Sequence, residues 1–378
     1  MVNKNIISLG IVSFFTDMAS SMVSVILPIF IVYTLDEGVD KLGYVVALAT
    51  FVSYAFRILF GYLSDRLQVV KPFVVSGYVI SALSKPLLYL SGSWQSVALL
   101  RGVERVGKAV RSATKDSLIS AYSDGKSGKS FGFHKMMDIA GELTGSLIVF
   151  ALLFFVGESE KLFREIFLAT IIPGALSVIV VIFFVKDVEY KKESKKFDLS
   201  QDYHLLPLLF VYFAFIFFMF NDSFFIIKAK EAGIGVEYIP LLIVLLNLTQ
   251  TLLSYGVGIK VDTLGVVKVL GIAFGFGVLS IWFLYIDWIV LGFVALGVFT
   301  IGSLNAMRAY ISDKAYNKAT IYGVFYAGVA VCSSLGALVT GWIWHYMDVD
   351  TAMMFSLGGM VMVSICMMGT KTHHLLDS

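Results

Sequence analysis

The stretch Gly61-Tyr-Leu-Ser-Asp65-Arg66, with Lys71 six residues after the aspartate, returns half a chain later as Gly258-Ile-Lys-Val-Asp262, with Lys268 at the same interval. Glycine, aspartate and lysine keep their relative spacing in both copies. Each copy is a short polar break between long apolar runs. A second echo follows: Gly132 and Gly145 are as far apart as Gly323 and Gly336. Two echoes in corresponding places point to a duplicated chain, and internal repeats are a hallmark of transporter folds.

The apolar runs beside these breaks recur along all 378 residues. The chain is 58% hydrophobic and 15% charged, whereas soluble domains are about half apolar and about a quarter charged. Lipid must be its solvent. A spanning helix needs about 20 mostly apolar residues. Spans are predicted near 6–33, 42–63, 73–91, 95–121, 130–156 and 163–185, then near 205–228, 238–259, 266–286, 288–312, 319–345 and 351–370. The run from Ile6 to Tyr33 is too long for a signal-peptide core and reads as the first span. A polar, lysine-rich stretch from Lys186 to His204 divides the two sets. The predicted organisation is an N-terminal six-helix bundle (1–185), a basic cytoplasmic linker (186–204) and a C-terminal six-helix bundle (205–378). The fold class is an all-α polytopic membrane protein with about twelve transmembrane helices in two pseudo-symmetric bundles.

Lysine and arginine favour cytoplasmic loops. With this span count, one side collects Lys4, Arg66, Lys71, Lys126, Lys129, the linker, Lys260, Lys268, Lys314, Lys318 and Lys371. The other collects Asp36, Glu37, Asp40, Glu158, Glu160, Asp348 and Asp350. Both termini are therefore expected in the cytoplasm. The formal net charge of +2 gives no reason to expect nucleic acid as a partner. Cys332 and Cys366 match no metal spacing and read as packing thiols. No phosphate-binding loop of the Walker type is present, so nothing indicates ATP use. The histidines, His134, His204, His345, His373 and His374, are scattered. No metal, cofactor or enzyme activity is expected, and no soluble output domain suggests a sensor.

The Gly61–Lys71 segment resembles the signature cytoplasmic loop of the major facilitator superfamily: a glycine, an aspartate four later, then basic residues. The twelve spans, the central linker and the loop in both halves extend that resemblance over the whole chain. Ser13-Phe-Phe-Thr-Asp17, Lys85-Pro86 and the run from Lys108 to Asp116 are similar to a bacterial branch of drug- and metabolite-type facilitators, some linked to siderophores. The resemblance implies a bacterial inner-membrane protein, alternating access, and a cavity lined by spans 1, 4, 7 and 10. The chain departs from the pattern at Leu67 to Val70, which replace the usual glycine and arginine, and at Thr263, which replaces a basic residue.

A carboxylate at a cytoplasmic helix end can accept from a neighbouring helix N-terminus or pair with a base in one conformation only. Gly61, Asp65, Arg66, Lys71, Asp262 and Arg111 are accordingly the candidate gating residues; for Arg66 and Lys71 a purely topological role is the alternative.

Ionisable groups inside a bilayer are costly and normally face a cavity or a partner. In span 4, Arg101, Arg105 and Lys108 form one helical stripe; Glu104, Lys108, Arg111 and Lys115 form the adjacent one. Arg101 resembles the span-4 arginine of a second facilitator motif, with Glu104 where glutamine is usual. Span 5 carries His134, Asp138 and Glu142 one turn apart on one face. This is a ladder of titratable groups, and Glu142 is expected near Arg101 or Arg105. Glu142, Asp138, Glu104 and His134 are the candidate proton-coupling residues. Static salt bridges between spans 4 and 5 are the alternative. Span 1 places Asp17 beside Thr16, Ser20, Ser21 and Ser24; span 2 adds Arg57 and span 3 adds Lys85.

The second half is more neutral. Asn221 is expected near the outer end of span 7, with Asn247 in span 8, Asn305 and Arg308 in span 10, and Tyr322 and Tyr326 in span 11. Together with Asp17, Arg101 and Arg105 these are the candidate substrate contacts. The expected activity is proton-coupled secondary transport of a small anionic or zwitterionic organic solute, such as a carboxylate, metabolite or metal chelate. The alternative is a drug-type proton antiporter exporting amphiphilic compounds. An intramembrane enzyme or sensor fits less well. The expected partners are the lipid bilayer, the solute and protons, with the protein acting as a monomer.

Overall fold

A computed structural model describes residues 3–67, 69–122, 127–187 and 202–370. Most of the basic linker (188–201), Lys126, and the tail with Lys371, His373 and His374 lie outside the described residues, as does the side chain of Asp65. Among the described residues the chain is helical and contains no strand.

Among the described residues, eleven helical segments are long and apolar enough to cross a membrane. They are α1 (Lys4–Thr34), α2 (Val39–Leu67), α3 (Lys71–Leu90), α5 (Ser127–Val156), α6 (Glu160–Phe184), α7 (Tyr203–Glu231), α8 (Val236–Leu264), α9 (Val266–Tyr285), α10 (Ile289–Lys314), α11 (Lys318–Tyr346) and α12 (Val349–Thr370). The twelfth long helix, α4 (Trp94–Ala121), is too charged to pass on composition. It solves its solubility problem by orientation. Leu99 and Val103 face outward, while Arg101, Glu104 and Arg111 are buried. The predicted spans and the observed helices differ by a few residues at their ends.

The chain forms two compact units. The first comprises Met1–Lys195 with Gly235–Val244, and the second Lys196–Ile234 with Leu245–Ser378. In the first, α1 packs against α5 and α6, and α4 lies against both α2 and α3. The opening of α8 belongs here too: Tyr238 sits against Phe150 and Phe154 of α5. In the second, α7 packs against α11 and α12, and α9 against α10 and α12.

The tightest helix crossings are set by glycine. A Cβ on Gly141 would lie 2.2 Å from the carbonyl oxygen of Phe14, and one on Gly145 2.4 Å from that of Met18. The α1 and α5 backbones therefore touch, running in the same direction. The second unit repeats this crossing: a Cβ on Gly336 would lie 2.1 Å from the carbonyl oxygen of Phe217, between α7 and α11. Gly145 and Gly336 are the pair matched in the sequence repeat. Their partners in that repeat, Gly132 and Gly323, both face open space. Duplication has preserved the contact as well as the spacing.

Two of the long helices are interrupted. Pro86, which has no backbone N–H to donate, ends regular α-helix in α3, and Pro86–Leu90 continue as a 3-10 turn. Lys85 stands at that joint with its side chain buried. Within α7, helix stops at Phe218 and restarts at Asp222. Asn221 caps the new start, accepting from the Ser223 N–H at 3.0 Å. This corrects the placement of Asn221 near the outer end of the span: it sits at an internal break, where asparagine supplies the acceptor that a fresh helix N-terminus needs.

At the base of the second unit, Asp202 is fully buried. Its two carboxylate oxygens accept from the backbone N–H groups of Tyr316 (2.7 Å) and Asn317 (2.9 Å), just ahead of α11. Asp202→Ala removes the acceptor of both backbone N–H groups. The expected cost is about 1–3 kcal/mol, read as a lower apparent melting temperature of the purified protein; Asp202→Asn, which keeps one acceptor, should fall in between.

Candidate functional site

The first unit holds a continuous cluster of charge inside its helices. Its floor is the α3/α4 seam. A Cβ on Gly77 would lie 2.6 Å from the carbonyl oxygen of Gly107, and one on Gly107 2.7 Å from that of Gly77. Across this close approach Arg111 reaches back to α3. Its guanidinium donates to Ser81 Oγ and lies 4.7 Å from the centre of the Tyr78 ring. Arg111, one of the candidate gates, is thus a buried tie between α3 and α4.

About two turns back along α4 from Arg111, Glu104 is almost fully buried. It is ion-paired with Arg101 and lies 3.8 Å from Arg105 Nε. One carboxylate is shared by two guanidiniums of its own helix. Glu142 was expected near these arginines; among the described residues it makes no ion pair with either, and Glu104 does. Lys85 is also buried and donates to the carbonyl oxygen of Thr16 on α1 at 3.3 Å. Arg57 on α2 pairs with Asp116 at 3.0 Å.

The wall is the α1/α5 seam. Its rungs are Ser13 against His134 (2.9 Å) and Ser21 against Ser146 (2.7 Å). His134 also lies 3.3 Å from Asp138 one turn along. Between these rungs come Asp17 on α1 and Glu142 on α5. Among the described residues, neither side chain makes a hydrogen bond or an ion pair, and neither does the side chain of Lys108 on α4. The three act on one another electrostatically, with Lys115, Lys135 and Asp138 also in range. Lys85 and Lys108 were visible as charges in the sequence, but it gave no sign that one would be tied to a backbone carbonyl and that the other side chain would have no hydrogen-bond or ion-pair partner among the described residues.

The remaining candidates are placed as follows. Gly61 and Arg66 lie in the last turns of α2, Arg66 exposed; Asp262 is exposed in the last turn of α8. Lys71 starts α3 and donates to the carbonyl oxygen of Ile182 at 2.9 Å, at the C-terminal end of α6. There a cation satisfies an orphan carbonyl and complements the helix dipole. In the second unit Arg308, Tyr322 and Tyr326 meet: Tyr322 donates to the Arg308 carbonyl (2.9 Å), Arg308 donates to Tyr326 Oη (3.2 Å), and the two rings stack at 6.5 Å. Asn305 donates to the Ser254 carbonyl at 3.3 Å. Asn247 has no side-chain hydrogen bond among the described residues. Asn221 is occupied as a cap. Of the two cysteines, Cys332 is half-buried, and Cys366 is exposed rather than packed in a core.

A sequence model of the Major Facilitator Superfamily matches residues 9–337. The chain belongs to this superfamily. A protein of Methanocaldococcus jannaschii, described as an uncharacterised MFS-type transporter, is 32% identical over 360 residues, covering 91% of this chain and 89% of that one. An uncharacterised protein of Mycobacterium tuberculosis is 24% identical over 348 residues, 86% of this chain and 82% of its own. Among solved structures, the nucleoside transporter NupG superimposes with a TM-score of 0.80 at 13% identity, covering 98% of this chain and 100% of its own. A POT family transporter bound to a thioalcohol-conjugated peptide gives 0.81 at 11% identity, covering 98% and 96%. At such identities the likeness is one of fold. This facilitator is an integral membrane transporter and not an enzyme, and its helices meet lipid and a small solute.

Proposed function

We propose that this facilitator moves a small organic anion or zwitterion by alternating access, coupled to protons. The observation that carries this reading is the unsatisfied charge in the first unit. Lys108 offers an ammonium, and Asp17 and Glu142 offer carboxylates, none held by a described neighbour. Around them bases outnumber acids: Arg57, Lys85, Arg101, Arg105, Arg111, Lys115 and Lys135 against Glu104, Asp116 and Asp138. Lys108 is exposed and Asp17 and Glu142 are half-buried, so a bound solute can reach all three, and charge that binding removes from water needs a partner, because desolvation costs several kcal/mol per ion. A solute carrying a carboxylate supplies one to Lys108; a solute with an amine as well also supplies one to Asp17 or Glu142. Carboxylate metabolites and carboxylate-type metal chelates, siderophores among them, have the first feature.

Drug-type antiport of amphiphilic cations is the second reading, favoured by the same acids Asp17 and Glu142, which no described neighbour holds. Thermal stability of the detergent-purified protein against a ligand panel separates the two. A ligand at about 100 times its Kd stabilises the folded state by about 2.7 kcal/mol. Stabilisation by organic anions or zwitterions that weakens in Arg105→Ala supports the first reading. Stabilisation by amphiphilic cations alone, indifferent to Arg105, supports the second and sinks the first.

A further inference from the structure

Lys115 on α4, Ser13 on α1 and His134 on α5 form a hydrogen-bonded chain linking three helices, with Asp138 one turn further along α5 at ion-pair distance from His134. Lys115 Nζ lies 3.5 Å from Ser13 Oγ, Ser13 Oγ 2.9 Å from His134 Nε2, and His134 Nδ1 3.3 Å from Asp138 Oδ1. Ser13 is 2% exposed and His134 4%, so water does not substitute freely for these bonds.

The two ends fix the direction of the chain. An ammonium only donates, and a carboxylate only accepts. Lys115 therefore donates to Ser13, the Ser13 hydroxyl donates to His134 Nε2, and the Nδ1 proton of His134 is left facing the Asp138 carboxylate. Every role is filled only when His134 is neutral. A proton added at Nε2 turns that acceptor into a donor. Ser13 Oγ then faces two cationic donors and its own hydroxyl proton has lost its acceptor. The contact to Lys115 is the longest of the three and the one that joins α4 to the α1/α5 pair, so it is the one that yields.

We propose that His134 is a proton site that competes with Lys115 for Ser13, so that proton binding detaches the cytoplasmic half of α4 from α1 and α5. This rests on the proton-coupled transport reading for its purpose, but the switch itself can be observed without any solute. The other charged groups facing the chain are Asp17 from α1, Lys108, Arg111 and Asp116 from α4, Lys135 and Glu142 from α5, and the phenol of Tyr78 from α3. The side of α6 packed here is apolar: Val178, Val181 and Val185.

The test is a distance measurement on the full chain in lipid nanodiscs. Spin labels are placed at Ile7→Cys on α1 and Ala121→Cys on α4, both exposed, with Cys332 and Cys366 replaced by serine. The pH is moved between about 8 and about 5, the range in which an imidazole changes charge. The expected result is a lengthening of the α1–α4 distance on acidification. His134→Gln, whose amide oxygen still accepts from Ser13, should hold the short distance at both pH values. Lys115→Met should remove the pH step, while Glu142→Gln and Asp17→Asn should keep it. An unchanged distance in the background chain overturns the proposal, as does a step that survives in both His134→Gln and Lys115→Met. If His134→Gln does not fold, Lys115→Met alone decides: a retained step overturns the switch.

Discussion

Replacing Glu104 with glutamine is expected to cost this facilitator about 3–5 kcal/mol of stability, the usual penalty when one partner of a buried ion pair is removed. The carboxylate is buried and answers two guanidiniums at once. Glutamine keeps its size but not its charge, leaving Arg101 and Arg105 beside Lys85 and Lys108, while the remaining acid of α4, Asp116, is paired with Arg57. The readout is the apparent melting temperature and the monodisperse fraction after extraction. A second change, Arg101→Met, removes one of the stranded cations. The double variant should regain most of the loss, since a buried pair replaced as a pair is often neutral. An unaltered Glu104→Gln protein would show that water reaches the carboxylate and that the cluster is not a closed network.

The second large effect concerns the glycine crossings. Gly141→Val and Gly336→Val each drive a branched side chain into a main-chain carbonyl, Phe14 or Phe217, at sub-contact distance. A flexible side chain could step aside, but a helix backbone cannot, so α1 and α5, or α7 and α11, must separate. Overpacking costs about 1–3 kcal/mol and occasionally more; loss of the folded, monodisperse protein is expected here. Gly132→Ala and Gly323→Ala, which face open space, are expected to behave as the native chain. Equal damage at all four positions would mean that the crossings are set by something other than glycine.

Much of this architecture is legible in the sequence, for physical reasons. Apolar runs of spanning length mark helices whether or not their partners are known, because lipid demands them. Even α4, which composition alone rejects, is betrayed by its charges falling on adjacent helical stripes. The glycine repeat is visible as a spacing, but which glycine sits at the crossing depends on helix rotation. Only the structure separates Gly145 from Gly132. The break in α7 escaped because the phenylalanine run around it reads as one helix; the Asn221-Asp222 pair was the available sign, a capping residue followed by an acid in the first turn. The charged site was half legible. The residue types in α1, α4 and α5 announce a polar interior. Their pairing does not follow: Glu104 takes the arginines that Glu142 was expected to meet, and His134 bonds to a serine on α1 that nothing in its own helix points to.

The central claim is that the unpaired charges of the first unit receive a solute bearing an anionic group. Counterflow of labelled solutes in proteoliposomes tests it most directly, because exchange requires neither a known direction nor a driving gradient. The panel contains organic anions, zwitterions and amphiphilic cations, each assayed with the native protein and with Lys108→Gln. The expected result is counterflow of an anion or zwitterion that falls at least about tenfold in Lys108→Gln, equivalent to about 1.4 kcal/mol of lost binding. Counterflow of amphiphilic cations alone, unchanged by Lys108→Gln, would contradict it.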